Sequence, residues 1–254
     1  MHALTASELL GIWEEGLNRS SVQRALILLT AAYPETAPIA LEELAIGERD
    51  TRLMALRERT FGPQLVGVAT CPECGARLES AFSLADIRTA FPSEPSCGRR
   101  EGDTKHETSA FCMGDYEVVF RLPNSRDLKI VAGDDALTES RQRVLERCLL
   151  MIRRNGEDCP LDELSGEILE AVENRMALID PRGDVRLSLS CPDCRHEWVA
   201  AFDIMAFFWA EIDAWAFRLL RETHTLASAY GWREADILAM GPRRRELYLK
   251  LING

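Results

Sequence analysis

The spacing of apolar and polar positions predicts a mainly helical α+β protein. Apolar residues recur every three or four positions near both ends of the chain and in two stretches of its second half, as in amphipathic helices. The helices predicted in this way span approximately residues 7–16, 21–33, 52–59, 135–154, 164–179, 203–230, 234–240 and 243–251. Proline or glycine marks several of their ends, for example at Tyr33-Pro34 and Gly241-Pro242.

Shorter stretches rich in β-formers, several of them alternating between apolar and other residues, predict β-strands between these helices. They are residues 65–69, 77–82, 116–122, 185–189 and 198–200. Four of the five flank a Cys-x-x-Cys turn, which predicts two hairpins with the cysteines at their tips.

The two cysteine hairpins look like copies of each other. Cys71-Pro72-Glu73-Cys74 and Cys191-Pro192-Asp193-Cys194 lie 120 residues apart, and Ala81-Phe82 corresponds to Ala201-Phe202 at the same offset. Each copy is preceded by a helix and a strand and is followed by a strand and a helix. We interpret this as an internal duplication, and the alternative is independent recurrence of a common zinc knuckle.

The four cysteines in these turns predict a structural zinc site. Each turn offers two thiolates, whereas tetrahedral zinc takes four ligands, so the simplest arrangement has Cys71, Cys74, Cys191 and Cys194 sharing one ion. Such a site leaves no coordination position for water and would pin the two halves of the chain together.

Other cysteines leave alternatives open. Two separate metal sites would need further ligands, drawn from Cys97, His106, Cys112 and His196. Buried free cysteines are a third possibility. Cys148 lies on an apolar helix face and is predicted to be in the core, and Cys159 is predicted to be a free thiol in a loop.

Residues 92–110 interrupt the pattern, because they combine proline, glycine and charged residues with few large apolar side chains. They predict a linker or mobile loop. The chain is therefore divided into residues 1–91, with the first hairpin, and residues 111–254, with the second. We expect both parts to form one compact unit.

Composition restricts the functional class. The formal charge of −11 disfavours non-specific nucleic-acid binding, although a zinc-ribbon nucleic-acid-binding or transcription-associated protein is the alternative function, and Arg243-Arg244-Arg245 is a weak signal for it. No catalytic motif is found, so no enzyme is expected. The first residues lack the features of a secretion signal, and the cysteine usage suits a reducing cytoplasm.

The long helix predicted after Asp203 is unusually rich in aromatic residues. Its apolar stretch is interrupted by Glu211, Asp213 and Arg218, so no membrane span is expected. Aromatic residues on several faces of one helix suit either the core alone or the core plus a protein interface. The predicted partner-binding residues are Phe208, Trp209, Trp215 and Trp232.

Several segments outside the cysteine turns carry a family signature. They are Phe120-Arg121-Leu122-Pro123-Asn124-Ser125-Arg126-Asp127-Leu128, Phe202-Asp203-Ile204, Phe208-Trp209-Ala210-Glu211-Ile212, Leu226-Ala227-Ser228-Ala229-Tyr230-Gly231-Trp232 and Ile237-Leu238. Together with both turns they resemble a family encoded beside phage-tail-like contractile injection systems. That family is similar to the baseplate hub and hub-assembly chaperone proteins of T-even phages.

The resemblance implies a non-enzymatic role in building or forming a baseplate hub. It implies hub, spike or tube proteins as partners, a place in the cytoplasm or in a phage-like particle, and the four turn cysteines as the metal positions. The second turn departs from the Cys-Pro-x-Cys-Gly pattern of the family, because Arg195 follows Cys194. This departure puts the shape of that turn in doubt, but it removes no ligand.

Overall fold

The computed structural model describes residues 1–84, 87, 108–131 and 137–253, and the protein is α+β, as predicted. The helices are α1 (Ala6–Gly16), α2 (Ser21–Ala32), α3 (Pro38–Glu42), α4 (Ile46–Phe61), α5 (Ser125–Val131), α6 (Leu137–Cys148), α7 (Gly166–Ile179), α8 (Ile204–Tyr230), α9 (Glu234–Leu238) and α10 (Pro242–Asn253). The strands are β1 (Gln64–Thr70), β2 (Arg77–Ser83), β3 (Thr108–Met113), β4 (Tyr116–Arg121), β5 (Leu149–Arg154), β6 (Glu157–Asp158), β7 (Arg186–Ser190) and β8 (Glu197–Ala201). Short 3₁₀ turns span Leu161–Glu163 and Pro181–Gly183.

The chain forms two compact units whose limits differ from the predicted division at residues 92–110. One unit combines residues 1–34 with residues 204–254, and the other comprises residues 35–203. Of the predicted linker, residues 92–107 lie outside the described residues, and Thr108 to Ala110 begin strand β3. The predicted shared cysteine site implied that the two cysteine hairpins meet. No short-range pattern in the sequence indicated that the two ends of the chain pack together.

The unit formed by the two ends is helical. Helices α1 and α2 begin with capping boxes at Thr5 and Ser20, where the side chain accepts from the backbone N–H three residues later. Both helices pack on α8. The Trp13 indole N–H donates to Asp213 Oδ1 at 2.9 Å, and an added Cβ at Gly16 would overlap the Trp209 ring. Large aromatic side chains therefore determine how closely these helices approach.

In the unit of residues 35–203, the described strands form three separate antiparallel sheets. Strands β1 and β2 form one hairpin, β7 and β8 form another, and β3-β4-β5-β6 form a four-stranded sheet between them in sequence. Helices α6 and α7 cover the four-stranded sheet with a buried cluster. Its members are Val118, Phe120, Leu145, Cys148, Ile168, Val172 and Met176.

The helix predicted over residues 135–154 is wrong in its second half. Helix α6 ends at Cys148, and β5 continues from it to pair with β4. The run from Leu149 to Ile152 fits helical spacing as well as a strand, and pairing with β4 decides the outcome. Asn155 and Gly156 have positive φ values of 54° and 86°, so they form a two-residue hairpin turn rather than a helix stop.

The remaining predicted elements are present with shifted ends. Helix α4 begins six residues before the predicted residue 52, where Ile46 N–H donates to the Pro123 carbonyl at 3.2 Å. After β2, the described residues Leu84 and Ile87 are both buried. Helices α4 and α7 begin at residues 46 and 166, so the 120-residue offset of the hairpins extends to the helices that precede them.

Candidate metal centre

The first cysteine turn is held by its own backbone. Cys71 N–H donates to the Ala76 carbonyl at 2.8 Å, and Gly75 N–H donates to the Cys71 carbonyl at 3.0 Å. Gly75 has φ of 73°, the left-handed region that glycine enters without strain. The two cysteines are thereby fixed at the end of the β1-β2 ladder.

The second turn repeats these contacts. Cys191 N–H donates to the His196 carbonyl at 2.9 Å, and Arg195 N–H donates to the Cys191 carbonyl at 2.9 Å. Arg195 has φ of 62°, so a non-glycine residue occupies the same left-handed conformation. The departure from the family pattern at Arg195 therefore leaves the shape of the turn unchanged.

The four sulfur atoms converge, as predicted. Cys71 Sγ lies 3.7 Å from Cys194 Sγ, Cys74 Sγ lies 3.6 Å from Cys191 Sγ, and all four lie within 4.8 Å of one another. Metal–sulfur bonds of about 2.3 Å in a tetrahedron require sulfur separations of about 3.8 Å. The four cysteines are therefore placed to hold one metal ion.

The two hairpins meet with approximate two-fold symmetry. An exchange of the two halves converts the contact between Cys71 and Cys194 into the contact between Cys74 and Cys191. The rings of Phe82 and Phe202, which also correspond at the 120-residue offset, pack edge to face with centroids 5.5 Å apart. The inner cysteines, Cys71 and Cys191, are each 1% exposed, whereas Cys74 and Cys194 are exposed.

The thiols influence one another's ionisation. Burial opposes ionisation of Cys71, but hydrogen bonds from the backbone of Cys74 and Glu73 and from Cys194 outweigh it and lower its pKa to about 7. A backbone hydrogen bond from His196 lowers the pKa of Cys194, but partial desolvation of its sulfur and hydrogen bonds with the other three thiols outweigh it and raise the pKa to about 12. One thiolate thus forms easily, and further ionisation needs a compensating cation.

The other candidate ligands lie elsewhere or outside the described residues. His196 stacks on Trp198 at a centroid distance of 6.1 Å and does not belong to the sulfur cluster. Cys112 is exposed on β3 and Cys159 is partly exposed. Cys148 is fully buried in the core, as predicted, and this burial raises its pKa to about 11. Cys97 and His106 lie outside the described residues.

A buried charged cluster next to the four-stranded sheet was not predicted from the sequence. Asp127 is fully buried and accepts hydrogen bonds from Arg121 Nη1 at 2.6 Å and Nη2 at 2.8 Å, and from Arg147 Nε at 2.9 Å. Burial opposes ionisation of Asp127, but hydrogen bonds from Arg121, the Asn124 N–H and Arg147 outweigh it and lower its pKa. These contacts fasten α5 and α6 to the end of β4.

A local sequence signal did exist for part of this cluster. Asn124 Oδ1 accepts from Asp127 N–H at 3.4 Å, while Asp127 Oδ2 accepts from Asn124 N–H at 3.0 Å. This is a capping box with Asn and Asp in place of the usual residues, and it starts α5. The Asn-x-x-Asp spacing predicts the cap, whereas the pairing with Arg121 and Arg147 depends on the fold.

The predicted partner-binding residues differ in exposure. Phe208 is fully buried and Trp209 is 8% exposed, so these two side chains supply core packing rather than contact surface. Trp215 and Trp232 are partly exposed, and Trp232 stacks on Tyr230 with centroids 4.5 Å apart. Contact with a partner at these residues stays a prediction.

The triple arginine of α10 is partly structural. Arg245 is 4% exposed, and its guanidinium donates to Glu222 Oε2 at 3.2 Å and to the Met240 carbonyl at 2.5 Å. Arg245 is therefore held within the helical unit, and only Arg243 and Arg244 are exposed.

The T4 bacteriophage base plate protein family matches residues 7–209 of the chain. The chain belongs to this base plate family. The match includes both cysteine hairpins, the whole four-stranded sheet and the segment from Phe120 to Leu128. It ends within α8, so the later part of the carboxy-terminal signature lies beyond it. No curated protein and no solved structure matches the chain. Among the described residues, no helix is both long and apolar enough to span a membrane.

Proposed function

We propose that this base plate family protein is a non-enzymatic structural or assembly component of the baseplate hub in a phage-like contractile injection system. The observation that carries the proposal is the family match over residues 7–209, which includes both cysteine hairpins. Hub, spike or tube proteins of the same particle are the proposed partners. Within the cell the protein acts in the cytoplasm, where such particles are assembled.

We also propose that one zinc ion binds Cys71, Cys74, Cys191 and Cys194. The sulfur separations of 3.6 and 3.7 Å support a single tetrahedral ion, and a four-thiolate ligand set favours zinc. When bound, the ion supplies structural cross-linking rather than reactivity, because four protein ligands leave no position for water. Two-stranded hairpins are marginally stable alone, so the ion joins elements that need its support.

The role in assembly is tested by deleting the gene from a host that produces the particles. We expect contractile particles or their baseplates to be absent or to lack the hub, and the intact gene to restore them. Electron microscopy and mass spectrometry of the purified particles measure this. Normal particles with a complete hub, formed without the chain, would refute the proposal.

Metal content is tested on the full chain by native mass spectrometry and elemental analysis. We expect one zinc per chain and its loss in Cys191→Ser, while Cys112→Ser retains it. Two zinc ions per chain, or iron with its visible absorption, would contradict the single zinc site. Peptides spanning only one hairpin should bind zinc far more weakly, since each contributes two ligands.

A further inference from the structure

Among the described residues, no strand pairs with the outer edge of β2 at Arg77 and Glu79. Cys71 N–H donates to the Ala76 carbonyl and Leu84 N–H donates to the Pro63 carbonyl. These two bonds determine which residue pairs of the β1-β2 ladder are hydrogen-bonded. Bonded pairs alternate along an antiparallel ladder, so Leu78 and Ser80 bond to β1. The backbone N–H and C=O groups of Arg77 and Glu79 therefore point away from β1.

Strand β7 has the same arrangement. Cys191 N–H bonds to the His196 carbonyl and Phe202 N–H bonds to the Val185 carbonyl. By the same alternation, the backbone groups of Ser188 and Ser190 point away from β8. Among the described residues, neither β2 nor β7 pairs with a further strand.

These two free edges line one cleft. The cleft has a volume of about 450 Å³ and is lined by residues 77–80 of β2 and 188–190 of β7, with Ala69 from β1 and Trp198 from β8. Consecutive residues of a strand, which point to opposite faces, can line the same space only along the edge of that strand. Arg77, Glu79, Ser188 and Ser190, whose backbone groups point outward, are among the lining residues.

We propose that this cleft binds an extended segment of a partner protein, which adds a strand to β2, to β7 or to both. This proposal rests on the proposed assembly role, which makes another protein of the same particle the binding partner. Unpaired donors and acceptors on both walls match the backbone of a β-strand, which is the basis of recognition by strand addition.

The cleft also restricts the bound segment. It has room for a short stretch of one extended strand. The less exposed face of its strands carries Leu78, Leu189 and Trp198 together with Ser80, and the exposed face carries Arg77, Glu79, Ser188 and Ser190. The segment should alternate between apolar and polar side chains.

The test uses the full metal-loaded chain and a library of capped hexapeptides in which apolar and polar residues alternate. Amide hydrogen exchange, measured by NMR, reports each backbone group separately. We expect the best peptides to slow exchange at Arg77, Glu79, Ser188 or Ser190 at least about tenfold. The amides of Val68 and Val199, which face the opposite edges of the two hairpins, should not change.

Proline substitutions supply matched controls. Glu79→Pro removes an outward N–H without breaking the β1-β2 ladder, and Val68→Pro does the same on the residue paired with it. We expect Glu79→Pro to weaken peptide binding about tenfold, because one backbone hydrogen bond to the peptide is lost and the proline ring obstructs the edge. Val68→Pro should leave peptide binding unchanged. Ser188→Pro and Val199→Pro form the corresponding pair in the second hairpin.

Several outcomes would overturn the proposal. One is that no peptide slows amide exchange at millimolar concentration, and another is that exchange slows only at Val68 and Val199. A third is that the amides of Arg77, Glu79, Ser188 and Ser190 already exchange slowly in the chain without peptide. Self-association abolished by Glu79→Pro but not by Val68→Pro would show that a second copy is the occupant. Because the peptides include no baseplate protein, failure here leaves the outcome of the gene deletion unaffected.

Discussion

The two cysteine hairpins reach one geometry with different residues at the same turn position. Gly75 and Arg195 have φ values of 73° and 62°, and each donates its N–H to the carbonyl of the first cysteine in its turn. Only glycine adopts this conformation without strain. The same backbone hydrogen bonds therefore hold both turns in one shape, and the residue at this position changes the conformational energy of the turn without changing its shape.

The helices that precede the hairpins show less agreement. Helices α4 and α7 begin at the same 120-residue offset, but Gly47 of α4, which packs against Asp180, corresponds at that offset to Glu167 of α7 rather than to a glycine. The two halves therefore match at the four cysteines and differ in how the preceding helices pack. Internal duplication remains our interpretation of this pattern.

The strongest test of the comparison replaces equivalent cysteines. Because Cys71 and Cys191 are both buried and are both proposed zinc ligands, Cys71→Ser and Cys191→Ser should each abolish zinc binding and unfold the hairpins. The free energy of zinc binding at structural sites is about 10–16 kcal/mol, which is comparable to the whole free energy of unfolding of a domain. Elemental analysis and urea denaturation measure both effects.

Tryptophan positions allow each unit to be followed separately. Trp198 is the one tryptophan within residues 35–203, and the other four lie in the helical unit. With fluorinated tryptophan, the Trp198 resonance should lose its native position in both variants and keep it in Cys112→Ser. Loss of zinc in one cysteine variant only would show that the halves are not equivalent.

The sheet between the halves should depend on its charged cluster instead of the metal. Asp127→Asn leaves two arginines without their carboxylate, and breaking a buried ion pair costs about 3–5 kcal/mol. Asp115→Asn, which removes an exposed pair with Arg154, should cost less than about 1 kcal/mol. Urea denaturation measures the loss, and zinc content should remain one per chain in both variants.

Asp127 also predicts a pH dependence. Because its pKa is lowered in the folded state, its contribution is complete at neutral pH and is lost as the pH falls from about 3.9, the ordinary Asp value, through the lowered pKa. The stability difference between wild type and Asp127→Asn should shrink over that range. Acid also releases zinc, but this release affects both proteins and cancels in the difference.

Glycines at the starts of α4 and α7 should respond oppositely to alanine. A Cβ at Gly47 would overlap Asp180 Oδ1 and lie 2.8 Å from the Gly183 nitrogen, so Gly47→Ala should cost about 1–3 kcal/mol. Gly166→Ala meets nothing within 4 Å and should stabilise by up to about 1 kcal/mol. Urea denaturation followed at Trp198 compares them, and equal effects would contradict the packing difference.

Features with local signals could be predicted from the sequence. The cysteine spacing, the ligand number of zinc and the alternating strands led to both hairpins and to the convergence of Cys71, Cys74, Cys191 and Cys194. Proline and glycine marked several helix ends, as at Tyr33-Pro34 after α2 and Gly241-Pro242 before α10. These features depend on a few neighbouring residues, so one sequence is enough to find them.

Features that depend on distant pairing could not be predicted in the same way. Strand β5 continues the apolar spacing of α6, and only pairing with β4 distinguishes it from a helix, although Asn155-Gly156 gave a hairpin signal. Aromatic residues occur on several faces of α8, so periodicity alone did not separate the buried Phe208 from the partly exposed Trp215. The pairing of Asp127 with Arg147 likewise requires the fold.

The smallest expected effect tests the turn position itself. Gly75 has nothing within 4 Å of an added Cβ, so Gly75→Ala changes only the backbone preference and should cost about 1 kcal/mol. Arg195→Gly removes left-handed strain worth about 1–2 kcal/mol but adds flexibility to the unfolded chain worth about 0.5–1 kcal/mol. We therefore expect a gain of about 0.5–1 kcal/mol with zinc content unchanged, measured by urea denaturation of the metal-loaded chain. If Arg195→Gly lowers stability instead, the arginine side chain contributes contacts that outweigh the strain, and the two turns are equivalent in shape but not in what stabilises them.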